Sequence, residues 1–564
     1  MASRLLHERA VLTGRVVRAA LVVLSIAVVG LATSLTGFAP KFRSDDPLAR
    51  EPETQDASKA EPADISLMAD LLLTLFTKPA GVIENRRAGN VNTIDEVPDS
   101  SWFTNRIYAK PVSAAELERG PNVLEGPAPG RWTVVAPKRG GTAPGFRIRD
   151  SRGEVWFLSF DPRGVPNAAT AAIAIATKIF WALGYNQVES HLATIRLEDL
   201  DVAETAKIEL RPDRERPMTL ADVESVLRRA ARNPDGSYRV LAARALPGRV
   251  LGGFRFYGTR PDDPNDIVPH EHRRELRALK VFGAWANLVD MKALNTLDVL
   301  VPENGKSVIR HYLQDVGSTF GAGSQGPHGW EEGYEYLYEG GPLWKRMLTL
   351  GFYMRPWQTE PIVTHPEIGR VQGEGFDPEG WKPRTPIAAV EAARADDTFW
   401  AALRVQAFTD DLIRTVVKQG RLSDPKAEEL LANVLIERRN AIVRTYLPKI
   451  TPLVRFALDD AGTLTFENAA VRAGVANAPA NGYRAEWSNF NNDTEAAASL
   501  GAATTSQTER FTAPAGLSRT AGAIVKVAIS ADDPAQPTWS KPVDVYFRRT
   551  ASGWQLVGVE RSVD

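Results

Sequence analysis

The sequence contains no cysteine, so disulfide bonds, thiolate nucleophiles and cysteine-ligated zinc are excluded. Its net charge is −1, and the chain as a whole therefore offers no electrostatic case for binding nucleic acid. Neither the HExxH pattern of zinc proteases nor the nucleophile elbow of serine hydrolases occurs in it. What remains is an ordinary globular composition, with 43% hydrophobic and 24% charged residues.

A long apolar run near the N-terminus predicts contact with a membrane. Residues 19–39 carry no charge, and several arginines precede them. A membrane-spanning helix needs roughly 20 apolar residues, so we expect an inner-membrane anchor with the bulk of the chain on the periplasmic or extracytoplasmic side. A signal peptide that is cleaved after export to the periplasm and a buried core helix are the two alternatives.

At 564 residues the chain is too long for one compact core, and changes in composition along it predict several domains. The stretch after the apolar run is rich in Pro, Asp, Glu, Ser and Lys and predicts a flexible linker. The predicted segments are the anchor or signal segment 1–39, the linker 40–63, an N-terminal extension 64–130, a β-rich region 131–260, a helical region 261–450 and a C-terminal β domain 451–564.

The β-rich region begins with "GRWTVVAPKRGGTAPGFRIRDSRGEVWFLSFDP", which predicts strand, glycine loop, strand, turn and strand. Residues 167–185 follow as a helix that is apolar on nearly every face and ends at Gly184. Residues 270–290 predict one further helix, which ends at Asp290. The chain thus passes from a β-rich half to a mainly helical half.

Two acids and an amide surround a predicted hairpin just after that helix. The strands "TLDVLV" and "SVIRHYLQ" are joined by the turn "PENGKS". Such a hairpin would bring Asn295 and Asp315 to neighbouring positions at its open end, close to Asp290. Oxygen ligands of this kind suit Mg²⁺, but the same residues also occur in ordinary turns and helix caps, so the pattern leaves both interpretations open.

Taken together, these motifs resemble a protein-kinase-like fold. "DMKALN" has the Asp-x-Lys-x-x-Asn spacing of the kinase catalytic loop, "DVG" stands where that family has Asp-Phe-Gly, and "RGGTAPGF" resembles its phosphate-covering loop. The chain is similar to the atypical branch that includes the HipA-like toxin kinases, the CotH spore-coat kinases and the phosphatidylinositol kinases. It also resembles a group of exported bacterial proteins without assigned activity that carry "DEVPDSSWFTNR"-like stretches.

The resemblance implies an α+β fold. Its kinase-like core would have a β-rich lobe (131–260) and a larger helical lobe (261–450), between an N-terminal transmembrane helix and a small C-terminal β domain. The resemblance also implies Mg and ATP as cofactors. The implied roles are Asp290 and Lys292 in catalysis, Asn295 and Asp315 as metal ligands, and Lys138, Gly140, Gly141, Gly145 and Ser159 around the nucleotide.

One departure from the family pattern concerns the lysine that anchors the phosphates. An active kinase carries that lysine on the third strand, paired with a glutamate on the next helix. Here Ser159 occupies the strand position, and "NAATAAIAIATK" has no acid. Because serine cannot replace a charge, we expect Lys138 or Arg139, just before the glycines of the loop, to supply it. Lys178 and Arg147 are further candidates.

Three functional interpretations follow. The first is an anchored or exported kinase-like protein that binds a nucleotide with Mg, either as a weak ATP-dependent phosphotransferase or as a pseudokinase. The second is a non-catalytic cell-envelope scaffold whose C-terminal β domain engages a protein or glycan. The third is an unrelated hydrolase that uses Asp290 and Asp315 as paired carboxylates.

Overall fold

The structure is a computed structural model that describes residues 39–77, 80–81, 85–138, 141–211 and 214–563. Among these described residues, two helices precede the first sheet, namely α1 (Leu67–Phe76) and α2 (Ala114–Arg119). Each helix begins at a serine, because the Ser66 and Ser113 side chains accept hydrogen bonds from backbone N–H groups of the first turn.

The β-rich region forms a six-stranded sheet in the order β4-β8-β3-β2-β1-β5, antiparallel except between β1 and β5. The predicted strand, loop, strand, turn and strand are confirmed. The elements are β1 (Trp132–Pro137), β2 (Gly145–Arg149), β3 (Val155–Phe160), α3 (Ala168–Leu183), β4 (Ser190–Ile195), β5 (Leu200–Val202), the hairpin of β6 (Lys207–Arg211) and β7 (Arg214–Pro217), α4 (Leu220–Leu227) and β8 (Tyr238–Arg244).

Helix α3 is buried and packs against the sheet. It ends at Gly184, where the backbone has φ +122° and a Cβ atom would lie 2.1 Å from the Phe103 ring. Only glycine fits this position, which confirms the predicted end of the helix.

The helical region contains the predicted hairpin and most of the helices. Its elements are β9 (Arg249–Gly252), α5 (Arg274–Arg277), α6 (Leu279–Ala286), β10 (Leu297–Glu303), β11 (Lys306–Tyr312), β12 (Ala322–Gly323), β13 (Gly326–Pro327), α7 (Gly340–Leu348), β14 (Ile362–His365), β15 (Gly369–Gln372), α8 (Ala388–Glu391), α9 (Ala395–Gln406), α10 (Asp410–Lys418) and α11 (Pro425–Tyr446).

The single helix predicted over residues 270–290 is wrong. The segment consists of a 3-10 turn, α5 and α6, and it ends at Ala286. Asn287 adopts a left-handed conformation with φ 52°, and the Leu288 N–H bonds back to the carbonyl of Gly283. This C-terminal cap stops the helix before Asp290, so Asp290 lies in a loop.

The C-terminal region is β-rich, as predicted. It contains a three-stranded sheet and a larger sheet built around β18, β22, β23 and β24. The elements are β16 (Leu453–Leu458), β17 (Thr463–Asn468), α12 (Ala469–Arg472), β18 (Tyr483–Phe490), β19 (Ala497–Ser499), β20 (Thr504–Ser506), β21 (Arg510–Thr512), β22 (Ile524–Ala531), β23 (Val543–Thr550) and β24 (Gly553–Arg561).

One hydrophobic core runs through the helical and C-terminal regions. It includes Trp285 of α6, Leu435 of α11, Trp487 of β18 and Val545 of β23. The predicted linker packs as well, because Phe42 contacts Tyr546 and the Ala57 N–H bonds to Ser307. The domain boundaries given above stay predictions.

The fold-class prediction is wrong as stated and needs correction. The protein is a mixed α+β structure with several sheets. Within the described ranges no helix combines the length and the apolar surface that a bilayer crossing needs. Helix α3 has 16 residues, about 24 Å, against a hydrocarbon thickness of roughly 30 Å. Helix α11 is longer, but charged residues recur along it. The run predicted to span the membrane lies, up to residue 38, outside the described residues.

Candidate active site

The hairpin of β10 and β11 brings Asn295 and Asp315 together. Its turn contains Asn304 at φ 52° and Gly305 at φ 80°, the pair of positive angles that a tight two-residue hairpin turn requires. The strands pair in register from Glu303–Lys306 to Leu297–Tyr312. Beyond their open end the Asp315 N–H donates to the Asn295 carbonyl at 2.9 Å. The two residues therefore lie side by side.

Asp290 lies at the same end of the hairpin, in contact with two of the other predicted residues. Its Oδ2 accepts a bond from Lys292 Nζ at 2.7 Å and one from Asn295 Nδ2 at 3.2 Å, and its carbonyl accepts a second bond from Asn295 Nδ2 at 2.6 Å. Because the amide nitrogen of Asn295 faces Asp290, the amide oxygen points the other way. The "DMKALN" stretch thus forms one compact hydrogen-bonded loop.

A further residue of the site, Arg384, was missed by the sequence analysis. Its Nη1 lies 3.5 Å from Asp290 Oδ2, and its Nη2 lies 2.9 Å from Glu332 Oε2. Burial alone would raise the pKa of Asp290, but Lys292, Arg384 and Asn295 outweigh it and hold the pKa below its ordinary value of 3.8. Asp290 is therefore ionised at neutral pH. No local sequence signal marks Arg384, because it is 94 residues away in the chain and reaches the site only through the fold.

Lys138 reaches the strand position that lacks the family lysine. Its Nζ donates to Ser159 Oγ at 3.3 Å. Gly145 pairs with Ser159 across β2 and β3, and a Cβ atom on it would lie 3.0 Å from Lys138 Cδ and 2.2 Å from the Leu158 carbonyl oxygen. The absence of a side chain at Gly145 therefore lets the lysine cross β2 and place its ammonium group beside β3.

Lys138 is also coupled electrostatically to Asp315. Burial lowers the pKa of Lys138 below its ordinary value of 10.5, and the charge of Asp315 acts in the opposite direction. The carboxylate of Asp315, just beyond the hairpin, is thus near enough to act on the charge of Lys138. This electrostatic influence links the site residues on the sheet to those at the end of the hairpin.

The described part of the glycine loop lies close to Lys138. Gly141 has φ 72°, and a Cβ atom there would lie 3.7 Å from Lys138 Nζ. Thr142 Oγ1 bonds to Ser324 Oγ in the turn between β12 and β13, so the loop contacts the helical region. Gly140 lies outside the described residues, and its predicted contact with the nucleotide stays a prediction.

The oxygen donors of the site suit Mg²⁺ bound together with a polyphosphate. Within the described part of the chain, no group of three or more His, Cys, Asp or Glu side chains could hold a metal ion. Mg²⁺, however, usually takes one or two carboxylates and completes its shell with phosphate oxygens and water. Asp315 is exposed and uses one carboxylate oxygen to accept the Gly317 N–H. Asp315 and the Asn295 amide oxygen would be the protein ligands.

A buried histidine supports the segment that follows Asp315, and sequence analysis missed it too. His328 Nε2 lies 2.9 Å from Ser318 Oγ, and its Nδ1 lies 3.6 Å from Glu332 Oε2. Burial, aided by the charge of Arg384, lowers the pKa of His328 to about 3. The ring is therefore neutral at physiological pH, and it connects the Asp315 loop to the group formed by Glu332, Arg384 and Asp290.

Comparison with known proteins yields a distant likeness among solved structures. No protein-family model matches this chain, and no curated protein matches it. Among solved structures, the crystal structure of the Golgi casein kinase matches with 9% sequence identity and a TM-score of 0.29, over 72% of this chain and 97% of that chain. The protein thus has a distant structural likeness to a kinase, at a level that transfers no residue roles.

Proposed function

We propose that the protein binds Mg·ATP between Lys138 on the six-stranded sheet and Asp315 at the end of the β10–β11 hairpin and transfers the γ-phosphoryl group to a hydroxyl. The observation that carries the proposal is the position of Lys138, whose ammonium group donates to Ser159 Oγ at 3.3 Å. This arrangement supplies the phosphate-anchoring charge that the strand lacks. Phosphoryl transfer depends on positioning and charge neutralisation, so the displaced lysine can serve as well as one on the strand.

Each group has a role in this proposal. Lys138 and the glycine loop hold the phosphates, while Asp315 and Asn295 offer oxygen ligands to Mg²⁺, which would neutralise charge on the phosphates. Asp290 orients the acceptor hydroxyl and accepts its proton, and Lys292 contacts the transferred group. The low pKa of Asp290 makes orientation its larger contribution, because a weakly basic carboxylate is a poor proton acceptor.

Ligand-induced stabilisation tests the binding step. Mg·ATP should raise the thermal unfolding midpoint, because a ligand at a hundred times its Kd stabilises the native state by about 2.7 kcal/mol. Asp315→Ala should remove the part of this stabilisation that requires Mg²⁺, whereas Asp460→Ala, at an exposed pair with Arg549, should not. If no nucleotide and metal combination stabilises the wild type, the proposal is wrong and the non-catalytic scaffold is favoured.

The pKa of Lys138 gives a second test. Lys138 carries its positive charge below its pKa and loses that charge as the pH rises through the pKa. Burial lowers this pKa below the ordinary value of 10.5, so the charge is lost at a lower pH. We therefore expect the affinity for Mg·ATP, measured by titration calorimetry, to fall as the pH rises from neutrality towards the pKa of Lys138. Lys138→Arg should flatten the profile, since a guanidinium stays charged. Equal pH profiles in the two proteins would contradict the role of Lys138.

A further inference from the structure

A large cavity opens directly beside Asp290. Its volume is about 710 Å³, within the range typical of small-molecule sites. One end is polar and contains Asp290, Lys292 and Arg384, while the walls are mainly apolar and come from α1, from residues 255–257 and from residues 384–388. We refer to this space as the α1 cavity. A ligand that fills it would need a polar head and an apolar body.

Helix α1, which forms one wall, has its polarity reversed relative to a helix that faces water. Its acid, Asp70, is buried, lies 3.6 Å from Arg255 Nε and accepts a bond from the backbone of Ala293. Its exposed surface carries Leu67, Met68, Leu72, Leu73 and Phe76. A helix that buries its carboxylate and exposes its leucines is suited to an apolar environment on its outer side.

The segment after β13 continues this apolar surface. The Phe76 ring lies 5.4 Å from the Tyr338 ring, and from there residues 340–354 expose Trp344, Met347, Leu348, Leu350, Phe352 and Met354. We refer to the exposed apolar residues of α1 and of 337–354 as the apolar rim. The rim borders the cavity, because Leu67, Met68, Phe76 and Leu337 also line it.

The charge of this segment indicates what covers the rim. Residues 340–354 contain Lys345 and Arg346 and no acid, whereas Arg355, just beyond them, is paired with Glu335. Aromatic and aliphatic side chains interspersed with cations are typical of helices that lie in the interface of an anionic bilayer. A second copy of the chain would present the same cations and would repel them.

We propose that the rim rests on an anionic lipid surface and that the acceptor is a membrane amphiphile, with its aliphatic chain in the α1 cavity and its hydroxyl head at Asp290. This inference rests on the proposed function for the reaction itself. There the acceptor oxygen would form a bond to the γ-phosphorus of ATP. The bond from phosphorus to the bridging oxygen would break, ADP would leave with the electron pair, and the hydroxyl proton would pass to Asp290.

Because the chain has no cysteine, single cysteines can report on the rim. Phe352→Cys and Ile267→Cys place an environment-sensitive fluorophore at sites that are 86% and 79% exposed in the native protein, with only the first on the rim. Vesicles of phosphatidylcholine with phosphatidylglycerol should shift the emission of the Phe352→Cys label to the blue and leave the Ile267→Cys label unchanged. Equal responses at both sites would overturn the proposal. So would a shift that appears without vesicles as the protein concentration rises, which indicates a second copy.

The cavity is tested separately, with monooleoylglycerol as the probe. Titration calorimetry should detect binding of this probe to the wild type. Leu71→Glu puts a charge on the apolar wall and should weaken binding by about tenfold or more. Leu71→Met keeps the wall apolar and should bind the probe nearly as well as the wild type. Absence of binding to the wild type, or equal binding to Leu71→Glu, would overturn the proposal. A protein that binds monooleoylglycerol but is not stabilised by Mg·ATP keeps the amphiphile site and loses the proposed function, so the two failures are distinguishable.

Discussion

Replacing Asp290 by asparagine lowers the single-turnover rate of ADP formation from Mg·ATP by about 10²–10⁴-fold, the usual effect of losing a group that orients the nucleophile and takes its proton. The substitution keeps the size of the side chain and leaves an oxygen to accept from Lys292. The affinity for Mg·ATP should change little, because Asp290 is proposed to contact the acceptor hydroxyl and not the nucleotide. Rapid-quench measurement with γ-labelled ATP separates the two quantities.

The matched control for this experiment is Asp460→Asn. Asp460 is an exposed acid that pairs with Arg549 in the C-terminal region, and its variant should turn over at the wild-type rate. If Asp290→Asn turned over as fast as the control, the proposed orienting role would be wrong. If neither variant nor the wild type formed ADP although all three bound Mg·ATP, the protein would be a nucleotide-binding pseudokinase.

Replacing Lys138 by alanine weakens Mg·ATP binding by about 10²-fold or more, because the phosphates of the bound nucleotide lose the half-buried positive charge that pairs with them. The structure allows a rescue of this loss. Lys138 Nζ lies 3.3 Å from Ser159 Oγ, so a lysine introduced at residue 159 would bring its ammonium group into the same part of the cleft. The double variant Lys138→Ala with Ser159→Lys should therefore recover most of the affinity, measured by titration calorimetry.

Two further variants make the rescue specific. Ser159→Met in the Lys138→Ala background adds similar bulk without charge and should not restore binding. Gly145→Ala in the otherwise unchanged protein should also impair binding, because the added Cβ would clash with the Leu158 carbonyl oxygen and crowd the Lys138 side chain, and so would shift the strands that position Lys138. If Lys138→Ala bound Mg·ATP as tightly as the wild type, Lys138 would not anchor the phosphates. The position of Lys138 would then no longer support the proposed function.

Much of the local structure followed from short-range patterns. The Asn-Gly pair at 304–305 predicts a tight hairpin because both residues adopt positive φ with little strain, and the hairpin forms as expected. The apolar surface of α3 and the glycine after it likewise define a buried helix with a fixed end. The helix before Asp290 was predicted too long, because no proline or glycine marks the left-handed cap at Asn287.

The membrane-spanning prediction illustrates the limit of hydropathy. An apolar run such as residues 19–39 predicts that the segment lies in an apolar environment. The composition of the run does not distinguish a lipid bilayer from other apolar surroundings. The reversed polarity of α1 was equally invisible in the sequence, where "LMADLLLTLF" reads as a helix with one acid. Which side of that helix faces the protein depends on Arg255 and Ala293, which are far away in the chain.

The sequence by itself determined the strands around the glycine loop, the hairpin and the adjacency of Asn295 and Asp315, because each depends on backbone preferences and spacing within about thirty residues. Only the tertiary structure decided that Lys138 crosses Gly145 to reach Ser159, that Arg384 and His328 join the site, and that an apolar cavity opens beside Asp290. The physical reason is that such contacts are set by how separate elements pack together. No local pattern specifies that packing.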